Sequence, residues 1–206
     1  MQDVPFFQEP STQRVLLDIL FIYSKLHPDI GYRQGMHEIL APILWTVHGD
    51  SLETAGQDPG PEDYAVSNML EKQYITHDTF TLFCAIMQTL KGFYEFEGSG
   101  PDSRSTVMER SQQLHDVHLL HVDPELAEHF HTIGMVPQIF LLRWMRLLFL
   151  REFDMHDVLK MWDALFSHQL KSSLVDMTCL AMLLRIRWQC RNPLSVQLSK
   201  RTDRSR

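Results

Sequence analysis

The sequence is poor in the residues that mark secreted, fibrous or membrane-spanning proteins. Of 206 residues only three are cysteine, Cys84, Cys179 and Cys190. They are widely spaced and odd in number. That excludes a disulfide framework and points to apolar side chains in a reducing compartment. Glycine and proline together number 19, which excludes a low-complexity chain. No apolar run is long enough to span a bilayer, and no charged-then-apolar signal opens the chain. Positive charge is scarce too: 19 Lys and Arg stand against 26 Asp and Glu, a net −7. Residues 191–206 run the other way, with Arg191, Lys200, Arg201, Arg204 and Arg206 against Asp203. The remaining body is strongly acidic, which excludes nucleic acid as the main partner because phosphate binding needs a basic surface. The basic tail is expected to be disordered and is the one place suited to an anionic membrane.

What the chain does have is helical periodicity. Leu16, Ile19, Leu20 and Tyr23 follow the i, i+3, i+4, i+7 spacing, with Ser11 or Thr12 as the expected N-cap. Met36, Ile39, Leu40, Ile43 and Leu44 repeat the pattern around Pro42, where a kink is expected. Residues 49–63 and 97–105 read as loops. Phe80, Phe83, Met87, Leu90 and Phe93 mark a helix between them. Thr106 and Glu109 have capping-box spacing. Asp123-Pro124 opens a helix that Gly134 closes. Residues 138–150, QIFLLRWMRLLFL, are apolar nearly all round and predict a central helix. Val158, Met161, Trp162, Leu165 and Phe166 give another amphipathic face. Ser173 and Asp176 are expected to cap a last helix running to about Trp188. The class is all-α, a multi-helix array of about eight helices.

Two clusters invite stronger chemistry than they support. His115, His118 and His121 spread over about 120° of a helix, so they converge poorly on one ion. There is no HExxH and no cysteine pair. The expectation is exposed histidines and no metal. Arg143 and Arg146, on the apolar segment, are expected to pair with carboxylates such as Glu152, Asp157 or Asp163 rather than to bind phosphate. Trp144 and Trp162 read as core residues, with Asp163 a buried or interfacial carboxylate. Ser172-Ser173 reads as a helix start, since no motif places a histidine base beside it.

One short stretch is harder to explain by packing. Tyr32-Arg33-Gln34-Gly35-Met36 sets a neutral amide between an arginine and a glycine at a helix boundary. This pentapeptide resembles the YxQGM motif of TBC domains, the GTPase-activating domains for Rab proteins. RWMRLLFLREF (143–153) and VLKMWDALF (158–166) resemble the same family, in the same order. The resemblance spans roughly residues 1–190, with 191–206 as a separate tail.

The resemblance implies a specific chemistry. GTP hydrolysis needs a water placed in line with the γ-phosphate and positive charge on the phosphoryl oxygens. TBC domains supply both in trans, with a glutamine and an arginine. Gln34 matches the glutamine. An amide accepts from water and donates to an oxygen without changing protonation. Tyr32, Arg33, Gly35 and Met36 match the surrounding positioning and Rab-binding residues. Gly35 is expected to let the backbone approach the partner, and Tyr32 to pack behind the loop. The family's arginine lies in an IxxDxxR motif shortly before residues matching VPFFQ (4–8), and no IxxDxxR occurs in these 206 residues. The chain thus resembles the C-terminal two-thirds of the domain, expected to be weak or inactive alone. The alternative is a Rab-binding scaffold without catalysis. No cofactor is implied, since GTP and Mg2+ belong to the partner. The implied setting is cytoplasmic vesicle trafficking, with peripheral association at endosomal membranes.

Overall fold

The structure is a computed structural model that describes residues 4–51, 70–97, 104–167 and 172–191. The described residues are almost entirely helical. They form two compact units, one of residues up to 95 plus 146–162, the other of residues 96–145 plus 163 onward.

In the first unit a 3-10 turn, Pro5–Gln8, leads into α1, Pro10–Leu26. The N-cap of α1 is Glu9, with Pro10 in the first turn and no side-chain cap. The expected Ser11 or Thr12 cap is therefore displaced, because proline's fixed φ starts the helix earlier. Helix α2 is Met36–Asp50, so the loop expected from 49 starts later, at Ser51; residues 52–69 lie outside the described residues. Pro42 sits inside α2, and its carbonyl accepts from Thr46 Oγ1 at 3.0 Å. Helix α3, Ile75–Tyr94, follows a 3-10 turn at Lys72–Tyr74. These helices bury the periodic residues: Ile19 and Tyr23 from α1, Met36, Ile39 and Leu40 from α2, Phe83, Met87 and Leu90 from α3. Each such side chain contributes roughly 1.5–3 kcal/mol of burial. Tyr23 meets Phe83 edge to face at 5.0 Å.

The second unit opens on a two-residue antiparallel ladder, Phe96–Glu97 (β1) with Arg104–Ser105 (β2). Helix α4, Thr106–Gln113, has Ser105 as N-cap and no side-chain cap, so the Thr106–Glu109 capping box does not form. The chain continues without a break through a π-helical segment, Leu114–Leu119, into the short α5, Leu120–Val122. The wider turn shifts the helical phase and carries His115 inside. His115 is buried, stacked on Phe130 at 6.1 Å, with Nδ1 2.7 Å from Asp116 Oδ1. His118 and His121 are exposed as expected. Helix α6, Pro124–Thr132, begins as the sequence predicts: Asp123 Oδ1 accepts from the Leu126 N–H at 3.1 Å. Gly134 follows the helix end at φ +64°.

The apolar stretch 138–150 departs from expectation. Helix α7 covers only Gln138–Arg146, and Ile139 and Arg143 on it are exposed. Leu147–Leu150 form tight turns instead, with Leu148 and Phe149 at φ +43° and +67°. Left-handed conformations cost non-glycine residues about 1–3 kcal/mol each and persist only where packing over-determines them. Both side chains are fully buried, and the Trp162 indole N–H donates to the Leu148 carbonyl at 3.0 Å. Trp162 belongs to α8, Met155–Phe166. Asp163 beside it is exposed, not buried. The last helix, α9, is Ser172–Arg191 and outruns Trp188. Asp176 does not cap it. Both its oxygens accept from Arg110, at 2.8 and 2.5 Å. Cys179 is buried and Cys84 half-buried. Residues 192–206 of the basic tail lie outside the described residues.

Candidate functional site

The YRQGM segment is the N-terminal approach to α2. Helix α1 ends at Leu26, and the N–H groups of Ile30 and Gly31 both donate to the His27 carbonyl, at 3.2 and 2.8 Å. Gly31 lies at φ +63° and turns the chain toward Tyr32. The Met36 N–H donates to the Arg33 carbonyl at 3.1 Å, closing a turn with Gln34 and Gly35 at its tip. Gln34 is exposed, as are Tyr32 and Arg33. Gly35 and Met36 are buried. The turn therefore offers the Gln34 amide outward and anchors itself through the next two residues.

Gly35 is the N-cap of α2 at φ +103° and ψ −20°. A Cβ there would lie 2.9 Å from Leu147 Cδ2 and 3.7 Å from the Tyr94 hydroxyl. The missing side chain thus admits Leu147 from within the unit, rather than opening the backbone to a partner as expected. Met36 holds the turn too, its sulfur accepting from the Arg33 N–H at 3.3 Å. Tyr32 does not pack behind the loop. It is 48% exposed, and its hydroxyl lies 2.9 Å from His37 Nδ1, along the first turn of α2. Burial first, and then the nearby Glu38 carboxylate, push the Tyr32 hydroxyl above its usual pKa. Tyr32 and His37 also line an apolar groove of about 680 Å3 with Leu16, Leu17, Leu20 and Phe21 of α1. Leu17 and Phe21 are more than 60% exposed.

Behind the turn lies a network that periodicity did not reveal. Glu38, in the first turn of α2, is buried, and Arg151 Nε and Nη2 each donate to one of its oxygens at 2.7 Å. That pair raises the guanidinium's pKa. The Tyr94 hydroxyl donates to the Arg146 carbonyl at 2.8 Å, and Arg146 Nε donates to the Phe93 carbonyl at 3.0 Å. Arg146 Nε is thus satisfied by backbone rather than by the carboxylates expected for it, and burial lowers its pKa. The helical spacing of Met36, Ile39, Leu40, Ile43 and Leu44 leaves Glu38 off the expected apolar face. Nothing in the sequence marks Arg151 as its partner. Trp144 and Trp162 are core residues as expected, and Trp144 belongs to the second unit. Among the described residues no three His, Cys, Asp or Glu side chains are grouped to hold a metal ion, and no helix is long and apolar enough to cross a membrane.

The chain has counterparts among known proteins. The sequence pattern of the Rab-GTPase-TBC domain matches residues 1–190. The chain belongs to that family. Mouse TBC1 domain family member 5 is 35% identical over 90% of this chain and 25% of its own length. Human TBC1 domain family member 13 is 33% identical over 83% of this chain and 38% of its own. The chain thus spans about a quarter to two-fifths of these relatives. Among solved structures, the Ypt/Rab-GAP domain of Gyp1p superposes with a TM-score of 0.72 at 22% identity, covering 91% of this chain and 57% of that one. That likeness establishes the all-helical fold.

Proposed function

We propose that this chain acts on a Rab-family GTPase as a GTPase activator, with Gln34 orienting the attacking water. The observation that carries the reading is the Gln34 turn: its amide is exposed, while Gly35 and Met36 on its far side are buried and fixed. An amide so held can accept from water and donate to a phosphoryl oxygen together. The preorganised turn reduces the ordering needed in the transition state. Exposed Tyr32 and Arg33, and the apolar groove beside them, form the adjoining surface for the partner. GTP and Mg2+ come with the GTPase, and the setting is vesicle trafficking, at the cytoplasmic face of endosomal membranes.

An arginine finger is worth roughly 10³- to 10⁵-fold in GTPase rate. These 206 residues contain no IxxDxxR segment. The alternative reading is a Rab-binding scaffold without catalysis. The two are separated by single-turnover GTP hydrolysis across a panel of Rab GTPases. On the activator reading the chain alone accelerates weakly, and fusing the upstream arginine segment of a relative raises the rate steeply. Gln34→Ala in the fusion then removes most of that gain while binding persists, because the side chain acts in the transition state. Binding with no gain from the fused arginine would favour the scaffold. Full activity of the Gln34→Ala fusion would refute the glutamine's role.

A further inference from the structure

The Gln34 turn is held from behind by groups with no part in the chemistry proposed above. We propose that Leu147–Arg151 is a rigid brace, and that Arg151, through Glu38, is a positioning residue fixing the direction in which Gln34 points. The proposal rests on the reading of Gln34 as the water-orienting residue.

The brace touches the turn at two points. Leu147 packs on Gly35, whose absent Cβ leaves the room for it. Arg151 grips both oxygens of Glu38. The two holds lie three residues apart on the turn and four apart on the brace, so together they resist rotation of the turn about Met36. Glu38 is also tied directly to the tip, because its N–H donates to the Gly35 carbonyl at 3.0 Å. Any swing of the Gln34 peptide strains that bond and the guanidinium fork together.

The brace has its own rigidity. Leu148 and Phe149 are buried in left-handed conformations, which only tight packing sustains. The indole of Trp162 holds the Leu148 carbonyl, and the Tyr94 hydroxyl holds that of Arg146. The pair itself is asymmetric. The Glu38 side chain is 9% exposed and that of Arg151 56%. Arg151 is half-exposed, but its loss would leave the buried Glu38 carboxylate without its partner, so the pair also carries stability. The arginine's planar fork adds geometry, which a lysine's point charge does not. Misplacing a catalytic group by about 1 Å costs on the order of 10²-fold.

The test uses the 206-residue chain with Arg151→Met, Arg151→Lys and Glu38→Gln. Amide exchange of residues 33–38 and 15N relaxation at Gln34 report the brace directly. In Arg151→Met the Gln34 order parameter should fall from the rigid range near about 0.85 to below about 0.6. Exchange in the turn should speed up at least roughly tenfold relative to Leu44 in the same helix. Arg151→Lys should recover only part, and Glu38→Gln should resemble Arg151→Met if that variant folds poorly. A second arm takes the chain fused to the upstream arginine segment and compares its affinity for a Rab GTPase bound to GDP–aluminium fluoride with that for the GTP-analogue form. Loss of the brace should cut that ratio by about 10- to 100-fold, leaving the GTP-analogue affinity within about twofold. Lower melting temperatures with unchanged order at Gln34 would overturn the brace, as would an unchanged ratio. If the wild-type chain bound no Rab in any nucleotide state, the Rab reading would fall, and the relaxation arm alone would still decide the brace.

Discussion

Gly35→Ala is the sharpest probe of how the site is built. Two separate penalties meet at this position. The first is conformational: an alanine must hold φ +103°, outside the small left-handed well that L-residues tolerate. Even within that well the penalty is about 1–2 kcal/mol. The second is steric: the new methyl would stand 2.9 Å from Leu147 Cδ2. Leu147 is only 6% exposed, so it has little room to retreat. Overpacking of this kind costs roughly 1–3 kcal/mol. Together the change should destabilise by roughly 2–5 kcal/mol, which for a chain of this size lowers Tm by about 4–20 °C. Gly31→Ala is the matched comparison. Gly31 is also left-handed, at φ +63°, but a Cβ there meets nothing within 4 Å. It should cost only the conformational part, about 1–2 kcal/mol. The steric part can be isolated with Leu147→Ala. In that background Gly35→Ala should cost about 1–3 kcal/mol less than in the wild type, a coupling that a double-mutant cycle reads directly. Urea and thermal denaturation of the wild type, the three single variants and the double variant supply the values. Equal costs for Gly35→Ala and Gly31→Ala, or zero coupling to Leu147, would refute the close approach.

Gln34→Ala should leave urea stability within about 0.5 kcal/mol, since the side chain is exposed and only the partner's chemistry should use it. The two core tryptophans should separate on conversion to phenylalanine. Trp162→Phe loses the hydrogen bond to the Leu148 carbonyl and should cost about 1–3 kcal/mol. Trp144→Phe drops an indole N–H with no hydrogen-bond partner among the described residues and should cost less, by the same urea measurement. Asp123→Ala removes both the α6 cap and a carboxylate 3.1 Å from Arg187, and should lower stability by roughly 1–3 kcal/mol. The hydrogen bond from His115, aided by Gln112, holds the Asp116 carboxyl below its usual range. A depressed folded pKa gives stability that is present above about pH 4 and lost as pH falls through the folded value. Asp116→Asn should therefore lower Tm modestly at pH 7 and approach the wild-type curve as pH falls through the depressed folded pKa, a small effect because this side chain is half-exposed.

The sequence alone determined where most helices run and which residues they bury. Hydrophobic period is a local property, and Ile19, Ile39, Met87 and Leu90 all went to the core as their spacing required. The start of α6 was legible for the same reason, because an Asp-Pro cap acts within four residues. Gln34 stood out in the sequence because no packing pattern accounts for a neutral amide between Arg33 and Gly35. Tertiary structure decided what lay beyond that range. Residues 138–150 are apolar save for Gln138, Arg143 and Arg146, and composition could not show that the helix stops at Arg146. Only the Trp162 indole and the surrounding core hold Leu148 and Phe149 in conformations that local energetics disfavours. A π-helical segment turned His115 inward against a 3.6-residue count. Gly35 marked a special backbone position in the sequence, but that its empty side belongs to Leu147 was decided by a contact 112 residues away along the chain. Arg151 found Glu38 across a similar span, and a pairing so distant follows from chain geometry that no local spacing encodes.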